Sequence, residues 1–131
     1  MKHLLDINTL IALAHTGHEH HKRATAWYKT LPVATTTLCT CAITELGFLR
    51  VTVQAGLQSD VAAARKALSA LKGSSTIPFE MLNDAIGADR LPTFAKTHSK
   101  LTDGHLLELA RENHAQFSTL DTGIPGAALL P

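Results

Sequence analysis

Apolar and polar residues alternate along the chain in blocks typical of short buried strands separated by amphipathic helices. Runs of apolar and β-branched residues predict four strands, at residues 2–5, 33–38, 76–79 and 116–120. Apolar residues recurring at spacings of three and four predict helices at residues 9–14, 18–31, 40–54, 59–73, 81–91 and 101–112. Residues 94–100 are polar without a clear period and predict a loop.

This order of elements indicates the class of fold. Strands that alternate with helices pair in parallel through right-handed crossovers, with helices covering both faces of the sheet. We therefore expect a three-layer α/β/α sandwich with a central, mainly parallel sheet. At 131 residues, without a visible linker or repeat, residues 1–131 are expected to form a single domain.

The composition indicates a folded chain and bears on its association with membranes and its location in the cell. Hydrophobic residues make up 45% and charged residues 18%, a balance that argues against a disordered chain. No run approaches the roughly 20 apolar residues of a membrane-spanning helix, so we expect no membrane association. Cys39 and Cys41 are too close in sequence for an unstrained disulfide, which favours small core thiols and a cytoplasmic location.

Net charge alone does not indicate a nucleic-acid binder, because 12 basic and 11 acidic residues nearly cancel. A local clustering of the acidic residues would change this conclusion. If four of the 11 acids are gathered around metal ions in one pocket, 7 acidic residues remain against 12 basic ones on the rest of the surface. Such a surface could meet a polyanion.

Four acidic residues are candidates for that pocket. Asp6 follows the first predicted strand and Asp121 follows the fourth, so a parallel sheet brings both to the same edge, where ligands bind in such folds. Glu45 and Asp103 reach this edge from helices, Asp103 from a helix start that favours a carboxylate. Thr119 lies two residues before Asp121, on the same side of the strand, and could hydrogen-bond a metal ligand.

Two interpretations of these acids are open. Taken singly, a carboxylate after a strand or at a helix start is usually a cap or turn residue. Taken together, carboxylates a few ångströms apart repel by on the order of 4 kcal/mol per pair, so such a cluster rarely exists without a cation. Oxygen-only ligands favour Mg²⁺ or Mn²⁺ over zinc.

The sequences around the four acids resemble those of the PIN-domain ribonucleases and, among them, the VapC-type toxins of type II toxin–antitoxin systems. The resemblance spans nearly the whole chain and is carried by Leu4–Leu10, Ile43–Val51, Leu101–Leu106 and Ser118–Asp121. Two positions depart from the pattern: Gly104 stands where Ala is common, and Thr122–Pro125 replaces an aromatic ending. Neither departure affects the acids.

The resemblance implies a PIN-like fold and a metal-dependent endoribonuclease. Asp6, Glu45, Asp103 and Asp121 would form its metal-binding catalytic set, with Asn8 and Thr119 as supports. Bound Mg²⁺, or Mn²⁺ in its place, would reverse the field of the acids and activate a water for attack on phosphorus. Asp6 and Asp103 are the foremost candidates for direct ligands.

The resemblance also implies partners: an RNA substrate, a cognate antitoxin that covers the acidic pocket, and a second copy of the chain in a homodimer. Two alternatives stay open. One is a housekeeping PIN nuclease that processes RNA without an antitoxin, and the other is a catalytically silent RNA- or protein-binding module. The complete acidic set argues against the silent module, because like charges are costly to keep together without a metal.

Two further features have competing interpretations. Four histidines lie close together in the sequence: His15, His18, His20 and His21. This cluster could hold a transition metal, but a solvated helix start is favoured because no Cys or acid completes a tetrahedral set of ligands. Arg50 lies five residues after Glu45, about 140° around the helix. It could reach substrate or brace a neighbouring residue.

Overall fold

The structure is a computed structural model that describes residues Met1–Pro131. Its five strands are β1 (Lys2–Leu5), β2 (Thr37–Thr40), β3 (Phe79–Met81), β4 (Ala115–Thr119) and β5 (Ala128–Leu129). Its five α-helices are α1 (Ile7–Ala14), α2 (His21–Thr30), α3 (Ala42–Gln54), α4 (Val61–Ser74) and α5 (Leu101–Glu112). Short 3₁₀ turns lie at Val33–Thr35, Ala88–Arg90 and His98–Lys100.

All five strands belong to one parallel sheet in the order β3-β2-β1-β4-β5. The central strand β1 places Leu4 opposite Cys39 of β2 and Phe117 of β4. The carboxyl ends of β1, β2 and β4 therefore lie side by side, which brings the residues that follow these strands to one edge.

Alternate strand residues face two separate cores, one on each side of the sheet. Leu5 and Leu38 pack into a core with residues of α1, α2, α3 and α4, among them Phe48 and Leu68. On the other side, Leu4, Cys39 and Phe117 pack against α5. This arrangement confirms the three-layer α/β/α sandwich and the mainly parallel sheet, and both cysteines are buried and free.

One predicted element is wrong and several boundaries move. The segment 81–91 was expected to be helical, but Met81 ends β3 and only Ala88–Arg90 forms a 3₁₀ turn. At Asp84 the chain makes a local turn in place of a helix, because the Oδ1 of Asp84 accepts a hydrogen bond from the Ile86 backbone N–H at 3.1 Å. The strand expected at 76–79 pairs only from Phe79 onward.

Strand β2 begins later than its β-branched run suggests, because Val33–Thr35 forms a 3₁₀ turn after Pro32. Cys41, not Thr40, is the N-cap of α3, and α2 begins at His21 rather than His18. The two-residue strand β5 was not predicted. None of the helices combines the length and apolar character needed to cross a membrane.

Candidate functional site

The predicted site is built around Asp6, which connects the central strand β1 to α1. Its backbone N–H donates to the Ser118 carbonyl at 3.0 Å, and its Oδ1 caps α1 by accepting from the Ile7 N–H at 2.7 Å. The residue is only 8% exposed. Burial is the main cause that raises the pKa of Asp6, and the charge of Asp121 raises it further. Hydrogen bonds from Thr119 and Ile7 oppose this shift.

Thr119 links the two acids that follow β1 and β4. Its buried hydroxyl donates to Oδ2 of Asp6 at 2.7 Å, and the same Oγ1 accepts from the Asp121 backbone N–H at 3.0 Å. Asp121 itself is exposed, and its Oδ1 accepts from the Gly123 N–H at 2.9 Å. Thr119 thus holds one oxygen of Asp6 and the start of the Asp121 loop in fixed relation.

Asp103 joins this pair from the first turn of α5, where the helix dipole favours a negative charge. Its carboxyl group is partly buried, and that burial is the main cause of a raised pKa. The charges of Asp6 and Asp121 raise the pKa further, while Lys100 lowers it. The charges of Asp6 and Asp121 therefore act on Asp103 in addition to its burial.

The donor set of Asp6, Asp103 and Asp121 fits a divalent cation in its chemistry. It offers only oxygen ligands, and none of the three carboxylates forms an ion pair with a basic side chain. As the side chains stand, no three His, Cys, Asp or Glu groups converge closely enough to hold a metal ion. Asp103 is partly exposed and Asp121 is exposed, so their side chains have room to turn.

Glu45 lies at the neighbouring strand end but has a different environment. Its Oε2 accepts a hydrogen bond from the Thr40 hydroxyl at 2.5 Å and forms an ion pair with Lys72 of α4. Both side chains of the ion pair are largely buried, at 30% exposure for Lys72 and 22% for Glu45. The structure therefore brings three of the four predicted acids into electrostatic contact and leaves the fourth neutralised by a cation.

The predicted support Asn8 lines a hollow of about 260 Å³ beside Asp121, together with His18, Glu19, His20 and Leu120. The His18 and His20 rings lie 5.7 Å apart. His15 is instead buried, where its ring bonds to the Ile11 carbonyl and to Gln58. The four histidines are thus divided between a buried position at the end of α1 and partly buried positions before and at the start of α2, so the solvated helix start expected from the sequence does not describe them.

Sequence reasoning missed two lysines of the site. Lys100 precedes α5 and acts electrostatically on Asp103, and its Nζ donates to the Gly123 carbonyl at 3.3 Å beside Asp121. Lys72 approaches Glu45 from another helix, 27 positions away, a pairing for which no local pattern exists. Arg50 is exposed and forms neither an ion pair nor a side-chain hydrogen bond.

Comparisons with known proteins identify the family of this chain. The family model for the PIN domain matches residues 3–128. Ribonuclease VapC38 of Mycobacterium tuberculosis (strain ATCC 25618 / H37Rv) is 35% identical over 124 residues, which cover 92% of this chain and 86% of that protein. Ribonuclease VapC29 of the same strain is 35% identical over 122 residues, with the same two coverages of 92% and 86%.

Two solved structures share the fold at lower sequence identity. The Mycobacterium tuberculosis toxin VapC20, described as cleaving the sarcin–ricin loop, has a TM-score of 0.68 at 14% identity, covering 98% of this chain and 99% of that one. VapBC2 from Rickettsia felis, bound to a DNA fragment from its promoter, has a TM-score of 0.61 at 11% identity, with coverages of 98% and 97%.

Proposed function

The chain belongs to the PIN-domain family and to its VapC group, and from this premise we propose that it is a Mg²⁺-dependent endoribonuclease. It acts as the toxin of a type II toxin–antitoxin system in the cytoplasm and is inhibited by a cognate antitoxin. The observation that carries the proposal is the group of Asp6, Asp103 and Asp121, three carboxylates that form no ion pair with a basic side chain, although the charge of Lys100 acts on Asp103. Such a group is costly to keep in a fold unless a cation binds it.

Asp6, Asp103 and Asp121 would hold the metal, and Mn²⁺ could replace Mg²⁺. When bound, the ion neutralises the acids and lowers the pKa of water, so that a phosphodiester can approach and be attacked. Thr119 keeps one oxygen of Asp6 fixed through its hydroxyl hydrogen bond. Glu45, held by Thr40 and Lys72, has a carboxylate suited to orient water.

The reaction is hydrolysis of an RNA phosphodiester. The oxygen of water forms a new bond to phosphorus, the bond to one ribose oxygen breaks, and a proton from the water ends on that leaving oxygen. RNA is the proposed substrate because the relatives VapC38 and VapC29 are ribonucleases by name. Cleavage within a chain, rather than from its end, is part of the proposal.

The antitoxin is proposed to act by charge. An Arg side chain binds carboxylates through two hydrogen bonds and can replace the metal among Asp6, Asp103 and Asp121. The complex VapBC2 from Rickettsia felis supports the existence of such a partner. A homodimer stays a prediction, and it can be tested by measuring the mass of the purified chain in solution.

RNA cleavage by the purified protein tests the proposal. We expect fragments with Mg²⁺ or Mn²⁺, and none in excess EDTA or with Asp6→Asn. Cleavage that persists unchanged in EDTA would contradict the metal mechanism. Expression of the chain alone, without its antitoxin, should arrest growth, and a tagged protein purified from the native host should recover a small partner. Cleavage without growth arrest or partner would favour the housekeeping nuclease, whereas absence of cleavage by a folded protein would favour the silent module.

A further inference from the structure

A groove between α3 and α4 begins at Glu45 and runs along one face of α4. It encloses about 210 Å³, and its polar lining beyond Glu45 consists of Arg65, Ser69 and Lys72. Leu46, Leu49 and Leu68 form its apolar part. A wider, shallow depression of about 610 Å³ also contains Arg65 and Ser69 and extends the groove to Lys66. One end of this surface is thus the ion pair at the candidate active site, and the other is open.

The polar residues of the groove form a stripe along the helix. Arg65, Ser69 and Lys72 are spaced by four and three residues, which places their side chains on one face of α4. At a rise of 1.5 Å per residue, the stripe is about 10 Å long. Lys72 is paired with Glu45, whereas the exposed Arg65 and Lys66 have no carboxylate partner. The open end therefore carries uncompensated positive charge.

This distribution of charge suits a phosphate backbone that leaves the acidic site. A ribonuclease that cuts within a chain must hold nucleotides next to the one it cleaves, and its acids repel them. The stripe is about 10 Å long, which exceeds the spacing of neighbouring phosphates in one strand, so the unpaired Arg65 at its open end can contact a phosphate beyond the one nearest the Glu45–Lys72 ion pair. The exposed Leu46 and the half-buried Leu49 provide an apolar surface for a sugar or base.

We propose that the groove between α3 and α4 binds the sugar–phosphate backbone of substrate RNA adjacent to the cleaved bond, through Arg65, Ser69 and Lys72. The inference rests on the proposed ribonuclease function and adds a substrate-binding surface to it. Arg65 contacts phosphate as a charge-assisted donor. Ser69 can donate its hydroxyl to the same backbone, and Lys72 joins the groove to Glu45.

Arg65→Gln tests this assignment, because the side chain is exposed and its loss leaves the core intact. The probe is a fluorescein-labelled 12-nucleotide RNA. Its Kd is measured by anisotropy with Ca²⁺ in place of Mg²⁺, after a gel has shown that the RNA stays intact, and KM and kcat are measured with Mg²⁺. Arg65→Gln should raise Kd and KM about fivefold to tenfold, leave kcat unchanged and reduce the salt slope of binding by about one.

Lys29→Gln is the matched control, since it removes an exposed charge from α2, outside the groove. It should change Kd and KM less than twofold, and Arg65→Lys should recover most of the affinity. If Arg65→Gln behaves like Lys29→Gln while the wild type still cleaves RNA, the groove assignment is wrong and the ribonuclease stands. If Arg65→Gln weakens only the recovery of the antitoxin, the groove binds protein and the assignment is equally wrong. Failure of the folded wild type to bind or cleave RNA would overturn both proposals.

Discussion

Replacing Asp103 by Asn should raise the melting temperature of the metal-free protein at neutral pH and reduce its stabilisation by Mg²⁺. The pKa of Asp103 is raised by burial and by the charges of Asp6 and Asp121, without a hydrogen bond that Asn would break. An acid with a raised pKa holds its proton more tightly in the fold, so stability falls as pH rises from the unfolded value of 3.8 through the folded one. At neutral pH the full repulsion is present.

Two opposing contributions decide the size of the effect. Two unit charges 4 Å apart interact by about 4 kcal/mol at a dielectric of about 20 and by about 1 kcal/mol in water. Because Asp103 is partly exposed, solvent screening brings the total relief to about 1–2 kcal/mol. Loss of a favourable charge in the first turn of α5 costs about 0.3–1 kcal/mol. The net gain of about 1 kcal/mol corresponds to a rise of about 2–5 °C in Tm.

The response to Mg²⁺ is the second readout. A cation that binds only the folded state stabilises it by about 2.7 kcal/mol at a hundredfold excess over Kd. A tenfold loss of affinity on removal of one ligand reduces this by about 1.4 kcal/mol. The assay is a pair of melting curves, with EDTA and with Mg²⁺, for the wild type and for Asp103→Asn.

Asp60→Asn provides the control for charge removal at a helix start. Asp60 caps α4 outside the site, where its Oδ1 accepts from the Ala63 N–H at 2.8 Å, and Asn caps a helix equally well. This variant should leave the Mg²⁺ response unchanged. If Asp103→Asn lowers Tm in EDTA and shows the wild-type response to Mg²⁺, Asp103 is a helix-start residue and not a metal ligand.

Three other expectations follow from individual side chains. Burial raises the pKa of Cys39 to about 11, so a thiol reagent at about pH 8 should label it only after unfolding, as a colorimetric thiol assay would show. Burial lowers the pKa of His3 below 6.5, which means that the fold disfavours the protonated imidazole. The stability of the protein should therefore fall as the pH drops below 6.5, and His3→Gln should flatten this dependence of Tm on pH. A Cβ at Gly104 would lie 2.8 Å from the Cβ of Ala95. Overpacking there costs about 1–3 kcal/mol, whereas Ala gains about 1 kcal/mol in helix propensity. We therefore expect Gly104→Ala to lower the free energy of unfolding, measured in urea, by about 1 kcal/mol.

The parts of the fold that were predictable are those specified by neighbouring residues. The apolar run of β1 and the spacing of apolar residues in α3 and α5 gave elements within a few residues of those observed. The segment 81–91 failed because its residues have helix-compatible spacing, yet Asp84 turns the chain locally and bonds to His105 of α5. That contact joins residues 21 positions apart, so a local pattern could not reveal it.

In the candidate site, too, the predictable part is the one that the backbone positions determine. Asp6, Asp103 and Asp121 could be placed together because parallel pairing and helix starts fix their backbone positions, and the carboxylates do influence one another. Gly104, which stands where the family pattern commonly has Ala, lies against Ala95 and Pro92, where a methyl group would collide.

The state of Glu45 could not be foreseen, because it depends on a side chain from another helix. Lys72 faces Glu45 only after α3 and α4 pack, and that packing is determined by apolar contacts such as Leu68, not by the two charges. A largely buried carboxylate that already has a cation gains less from a metal than the three unpaired acids do. Glu45 is therefore the member of the predicted set whose role depends most on whether Lys72 stays in place when RNA binds.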